Sequence, residues 1–97
     1  MSCYFIVSVK IGERDRTFYD EYIERVKPVV ERFGGEYLVR TEHLQAPSPN
    51  WKPDRLIIIR FGSREQLDAC FASDAYQAIK DLRIGSVDAD IVIAEGL

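Results

Sequence analysis

The chain is poor in the residues that build metal centres and disulfide frameworks: its 97 residues hold two cysteines, Cys3 and Cys70, and one histidine, His43. A zinc or iron–sulfur site draws on about four such ligands held close together, so no metal or metal cofactor is expected from one chain. Two cysteines are also too few for a disulfide scaffold; they read as buried thiols and point to a reducing cytoplasm. No apolar run approaches the roughly 18 residues of a membrane span, and Met1-Ser2-Cys3 carries no basic leader, so neither a membrane association nor a signal peptide is expected. Positive charge is not in excess: 13 Lys and Arg stand against 16 Asp and Glu. Broad nucleic-acid binding needs a basic footprint, so nucleic acid is not an expected partner. A phosphate-cradling glycine loop is missing too, because the paired Gly34-Gly35 follows a helical pattern and does not precede one.

What is present is an ordinary globular composition, 46% apolar and 30% charged, in a length that suits one domain over residues 1–97. Residues 3–11 are β-branched and aromatic-rich, as a buried strand requires. Asp15 is placed as a helix N-cap, and Tyr19, Tyr22, Val26, Val29, Val30 and Phe33 then recur at spacings of three and four. Pro28 removes a backbone donor inside that helix and predicts a kink near the Glu24 carbonyl, and Gly34-Gly35 ends it. Residues 36–42 alternate as a second strand, and residues 43–53, with three prolines, form a long loop. Residues 54–62 make a third strand. Ser63 with Gln66 has the form of a capping box opening a helix that buries Leu67, Cys70 and Phe71. A second start at Ser73-Asp74 predicts a break near Ala72, before Tyr76, Ile79 and Leu82; residues 89–95 are the last strand. The order β-α-β-β-α-β predicts an α+β ferredoxin-like sandwich, a four-stranded antiparallel sheet with two helices on one face.

Alternation along the central strands then separates the two faces of the sheet. Phe5, Val7, Val9 and Ile11, with Ile57, Ile59 and Phe61, form an apolar set that belongs beneath the helices. The opposite set contains Tyr4, Ile6, Ser8, Leu56 and Ile58, too apolar for a face left to water. These five residues are the expected interface of a two-fold homodimer packed sheet to sheet.

Pieces spread over nearly the whole chain resemble the family catalogued as domain of unknown function 1330, within the dimeric α/β-barrel superfamily. They are Asp15 followed by Tyr19 and Tyr22; Gly34-Gly35-x-x-Leu38-Val39-Arg40; Trp51-x-Pro53-x-Arg55-Leu56; Arg60-Phe61; Ser73-x-x-Tyr76-Gln77; Leu82-Arg83; and Glu95-Gly96. Asp74 stands where the family commonly has proline, a change confined to a helix start. The resemblance implies a dimeric barrel with a pocket between the helices and the sheet of each subunit. It implies no reaction, since relatives in the wider superfamily include cofactor-free monooxygenases, lactone isomerases and haem-degrading enzymes.

Several residues carry candidate chemistry, each with a plainer alternative. Arg40 and Arg60 lie within strands, where a guanidinium fork suits a small carboxylate or enolate; either could instead pair with Glu42 or with an acid across the dimer. His43, at the mouth of the long loop, is a candidate general base or a solvated loop histidine. Tyr19, Tyr22, Tyr37 and Tyr76 make a phenol-rich interior able to steady an oxyanion, or simply to pack. Arg83 lies seven residues beyond Tyr76 and can share a site with it, or cap helix carbonyls. Trp51 is an anchor on the partner subunit or a lid over the pocket.

Three functions stay open on these residues. The first is a cofactor-independent enzyme acting on a small anionic or enolisable organic molecule, with Arg40, Arg60, Arg83, Tyr22 and Trp51 binding and His43 or Tyr76 moving a proton. The second is a non-catalytic ligand-binding dimer using the same pocket. The third is a structural module in which the arginines and Trp51 serve only the interface.

Overall fold

A strand whose neighbours on both sides are also strands must be apolar on at least one face, and the first strand meets that demand. In the computed structural model, which describes residues 1–97, β1 (Ser2–Lys10) lies between β3 (Arg55–Phe61) and β4 (Asp88–Gly96), and β2 (Glu36–Thr41) flanks β3. Every pairing is antiparallel, in the order β2-β3-β1-β4. Helix α1 (Thr17–Arg32) joins β1 to β2, while α2 (Arg64–Ala72), α3 (Asp74–Gln77) and a 3-10 turn at Lys80–Leu82 lead into β4. This is the expected ferredoxin-like sandwich, with three helices in place of two. No helix is long and apolar enough to cross a membrane.

The register confirms the alternation. Phe5 lies opposite Ile59, Val7 opposite Ile57 and Val9 opposite Arg55, and this set faces the helices. Val9, Ile59 and Phe61 are buried there beneath Tyr19, Val26, Val29 and Val30 of α1. The other set pairs Tyr4 with Arg60, Ile6 with Ile58 and Ser8 with Leu56 on the open face.

Local details differ from expectation in ways that have causes. The N-cap of α1 is Arg16, not Asp15; the Asp15 carboxylate instead accepts from the Thr17 backbone N–H at 2.9 Å and its hydroxyl at 2.7 Å, bracing the first helical residue. Helix α1 holds Pro28 within one continuous element, which is compatible with the expected kink. Past its end Gly34 takes a φ of +83°, and Gly35 lies so close to Val30 that a Cβ there would come within 2.5 Å of its Cγ1. The break after Ala72 occurs where expected, at Ser73, whose hydroxyl donates to the Cys70 carbonyl at 2.6 Å and accepts from the Tyr76 N–H at 3.2 Å. One side chain thus ends α2 and starts α3 in a new direction.

The buried apolar residues fall into two clusters. One gathers Val29, Val30, Phe61, Leu67 and Cys70; the other gathers Val7, Val9, Ile11, Tyr19 and Val87. Phe5, Tyr22 and Ile57 touch both while being only partly buried themselves, and the seam they bridge is where the molecule keeps internal space.

Candidate functional site

The seam holds a cavity of about 50 Å³ between α1 and the helix side of the sheet. Most of its wall is aliphatic or aromatic, including Phe5, Val7, Ile57, Ile59 and Phe71. Into this apolar wall come four phenols, Tyr19, Tyr22, Tyr37 and Tyr76, and three guanidiniums, Arg40, Arg55 and Arg83. No carboxylate and no imidazole lines it.

Each polar group arrives by a local device. A β-bulge between Tyr37 and Val39 shifts the register of β2, so Tyr37 faces Ile59 and Arg40 faces Ile57, both on the helix side. Strict alternation would have sent residues three apart to opposite faces. The Arg40 guanidinium lies 5.0 Å from the centre of the Tyr37 ring and donates through Nη2 to the Ile23 carbonyl of α1. That carbonyl is one residue before the one that Pro28, lacking an N–H, leaves without its helical partner.

Tyr22 and Tyr76 meet hydroxyl to hydroxyl at 3.0 Å, Tyr22 from α1 and Tyr76 from the turn set by Ser73. The Tyr76 ring is held edge-on by Phe71 at 4.9 Å, and Phe71 stacks on Phe5 at 4.2 Å. Burial, and then the neighbouring Tyr76 oxygen, raise the Tyr22 pKa well above the ordinary phenol value, while burial pushes Tyr37 up to about 12 against the opposing charge of Arg40. Both are protonated donors at neutral pH. Arg83 stands beside the two phenols although the helix between it and Tyr76 is broken.

Arg55 is the residue that sequence reasoning missed. It is only 7% exposed, on the helix side at the start of β3. Its Nε is buried without a hydrogen-bond partner in the chain. Nη1 lies 3.5 Å from Glu42 Oε2, but Glu42 is already gripped by Arg16 at 2.6 and 2.9 Å. The signal was available: Arg55, Ile57, Ile59 and Phe61 share one parity, so a charge stood in the apolar set.

The cavity therefore brings together Arg40, Arg83, Tyr22 and Tyr76 of the residues singled out in the sequence. It leaves out Arg60, Trp51 and His43. Arg60 is exposed on the open face, where its Nε donates to Ser2 Oγ at 3.0 Å. The expected pairing of Arg40 or Arg60 with Glu42 is not formed, since Arg16 and Arg55 take that carboxylate. His43 is exposed at the start of the loop, its backbone N–H bonded to Thr41 Oγ1 at 2.9 Å. Trp51 lines a separate open hollow with Leu44, Pro47, Pro53 and Leu56. Cys70 lies in the core outside the cavity wall, and burial pushes its thiol up to about 11, which removes it as a nucleophile at neutral pH.

Solved structures share this architecture at low sequence identity. A protein of unknown function from Rhodopseudomonas palustris superposes with a TM-score of 0.82 at 19% identity, covering 99% of this chain and 82% of that one. An ethyl tert-butyl ether d (EthD) family protein from Bacillus halodurans gives 0.69 at 14% identity, covering 100% of both. SnoaB, a cofactor-independent oxygenase from Streptomyces nogalater, gives 0.58 at 7% identity, covering 99% of this chain and 91% of that one. At such identities the likeness shows the fold. No curated protein matches the chain. Over residues 2–97 it matches the family profile described as Domain of unknown function (DUF1330), and it belongs to that family.

Proposed function

We propose that the helix-side cavity binds a small organic anion, a carboxylate or an enolate, and polarises its oxygen through the buried phenols. The observation that carries this reading is the wall itself: three guanidiniums in an apolar cavity with no acid among the lining residues. Arg55 is buried with only a long contact to a shared Glu42, Arg40 and Arg83 are half-buried, and an anion taken from solution adds compensation that such enclosed cations favour. Tyr22 and Tyr37, held protonated by burial, act as donors and not as bases. A ligand oxygen carrying negative charge is what such a donor set fits.

Turnover without a cofactor is the second reading, and the hydroxyl contact of Tyr22 with Tyr76 favours it, because the phenol that accepts from the other is a strengthened donor to an oxygen whose charge grows during reaction. The oxygenase SnoaB shows that this fold serves such chemistry elsewhere. With His43 outside the wall and no carboxylate lining it, a proton released on enolisation would pass to water.

The open face takes a second copy of the chain. Tyr4, Ile6, Leu56 and Ile58 surround Ser8 there, and Val39 and Val92 extend the patch on the neighbouring strands, Val92 being 60% exposed. The hollow at Trp51 shares Leu56 with this face, so Trp51 continues the surface as an anchor on the partner. Titration of the protein with small carboxylates and their neutral amides, followed by NMR of the tyrosine rings, tests the cavity. Acids should move Tyr22 and Tyr76 while amides do not; equal or absent responses would defeat the reading. Sedimentation should give a dimer that Ile58→Asp converts to monomers, and a monomeric parent would remove the second copy.

A further inference from the structure

The three cavity arginines are not equivalent. Arg40 is already engaged by the Ile23 carbonyl and the Tyr37 ring, and Arg83 stands beside two phenols. Arg55 alone keeps a donor that is buried, unpartnered and part of the cavity wall. A buried guanidinium donor without an acceptor is unfavourable by an amount that a native fold seldom leaves standing without a reason. Its one carboxylate neighbour is shared: Glu42 meets Arg55 Nη1 only at 3.5 Å, while Arg16 holds both Glu42 oxygens at 2.6 and 2.9 Å and also bonds Asp20 at 3.0 Å. Glu42 therefore compensates the Arg55 charge only in part, and Arg55 Nε stays without a partner.

The space sets the size of what Arg55 can hold. At roughly 10–15 Å³ for each water-sized position, the 50 Å³ cavity takes about three to five non-hydrogen atoms. Apart from its three guanidiniums and four phenol hydroxyls the wall is apolar, so one end of the occupant is charged and the remainder is hydrocarbon. From this we infer that Arg55 is the anchor of a short-chain monocarboxylate such as propanoate, with Arg16 acting through Glu42 as a positioning residue that keeps Arg55 available. The inference rests on the anion-binding reading above and narrows it to one residue and one class of acid.

The test is propanoate binding by NMR titration to the full chain and five variants. Arg55→Met should weaken binding about tenfold or more, the loss expected when a buried charged hydrogen bond is removed. Arg16→Met, an alteration outside the cavity, should weaken it severalfold by releasing Glu42 onto Arg55, and Arg16→Lys should restore part of the loss. Glu42→Gln should tighten it. Opposite signs from two paired residues distinguish positioning from damage to the fold. Arg14→Met, the same charge change at the Asp88 pair, should alter binding less than about twofold, since exposed charges are screened over such distances. Equal propanoate affinity in the parent and Arg55→Met overturns the inference and leaves the anion-binding reading intact. So does binding of larger acids but not propanoate. Failure of every acid to move the cavity tyrosines removes both.

Discussion

Arg55 and Arg60 sit near opposite ends of the same seven-residue strand, five positions apart, and live in different surroundings. An odd separation on a strand means opposite faces. Arg55 is enclosed under α1 with a donor unused, while Arg60 lies in solvent on the open face with a serine hydroxyl for company. The same side chain is therefore a candidate binding group in one place and surface decoration in the other. What separates them is which layer covers the strand.

That difference can be broken most severely next door to Arg60. Phe61 points the other way, is fully buried and packs edge-on to Phe71 at 6.1 Å. Phe61→Ala should lower stability by about 3–5 kcal/mol in urea unfolding, whereas Arg60→Ala in the isolated chain should stay within about 0.5 kcal/mol. Similar losses at the two neighbours would mean that the open face carries as much of the fold as the covered one.

A smaller effect sharpens the covered side. Gly35 is where the chain leaves α1 and passes against Val30 and Phe61, with a would-be Cβ 3.0 Å from the Phe61 ring as well as 2.5 Å from Val30 Cγ1. Gly35→Ala must push that layer apart and should lower stability by about 1–3 kcal/mol, read as a drop in Tm. Gly12, with nothing near its missing side chain, lacks this packing penalty and resists substitution only through its φ of +63°.

The sequence showed much of this contrast through period alone. Parity placed Phe5, Val7 and Val9 opposite Ile57 and Ile59 on one face and Tyr4, Ile6 and Ile58 on the other, as the register has them. The Ser73 break was legible because a serine followed by an aspartate interrupts an apolar helical stripe. The bulge at Leu38 was not legible, since one extra residue in an edge strand leaves no compositional mark, and with it went the joint placement of Tyr37 and Arg40. Arg55 escaped notice for another reason. It stands first in its strand, where a charge reads as a strand end, and only the packing of Tyr19 and α1 over it makes that position interior. Parity marked the charge as belonging to the covered face, while the closure that buries it is long-range.

The smallest expected effect concerns acid, and it separates the ends of β3 once more. Beside Arg55, Asp54 accepts from the Ile11 and Gly12 N–H groups at 2.7 and 3.0 Å, and these bonds, Gly12 first, hold its carboxyl below the ordinary range. Glu42 is lowered likewise, mainly by its bonds from Arg16. Beside Arg60 the partner is the Ser2 hydroxyl, which does not titrate. A carboxyl whose folded pKa is depressed adds stability that is complete above its unfolded value, about 3.9 for Asp and 4.3 for Glu, and that disappears as pH falls through the lower folded value. The urea midpoint should therefore fall from pH 5 to pH 3, with the Ile11–Gly12 turn loosening before the Tyr4–Arg60 pair does. Asp54→Asn keeps a carbonyl acceptor but nothing to protonate, so its midpoint should be lower at pH 5 and should fall less on acidification. An equal fall in parent and variant would move the acid sensitivity away from this end of the strand.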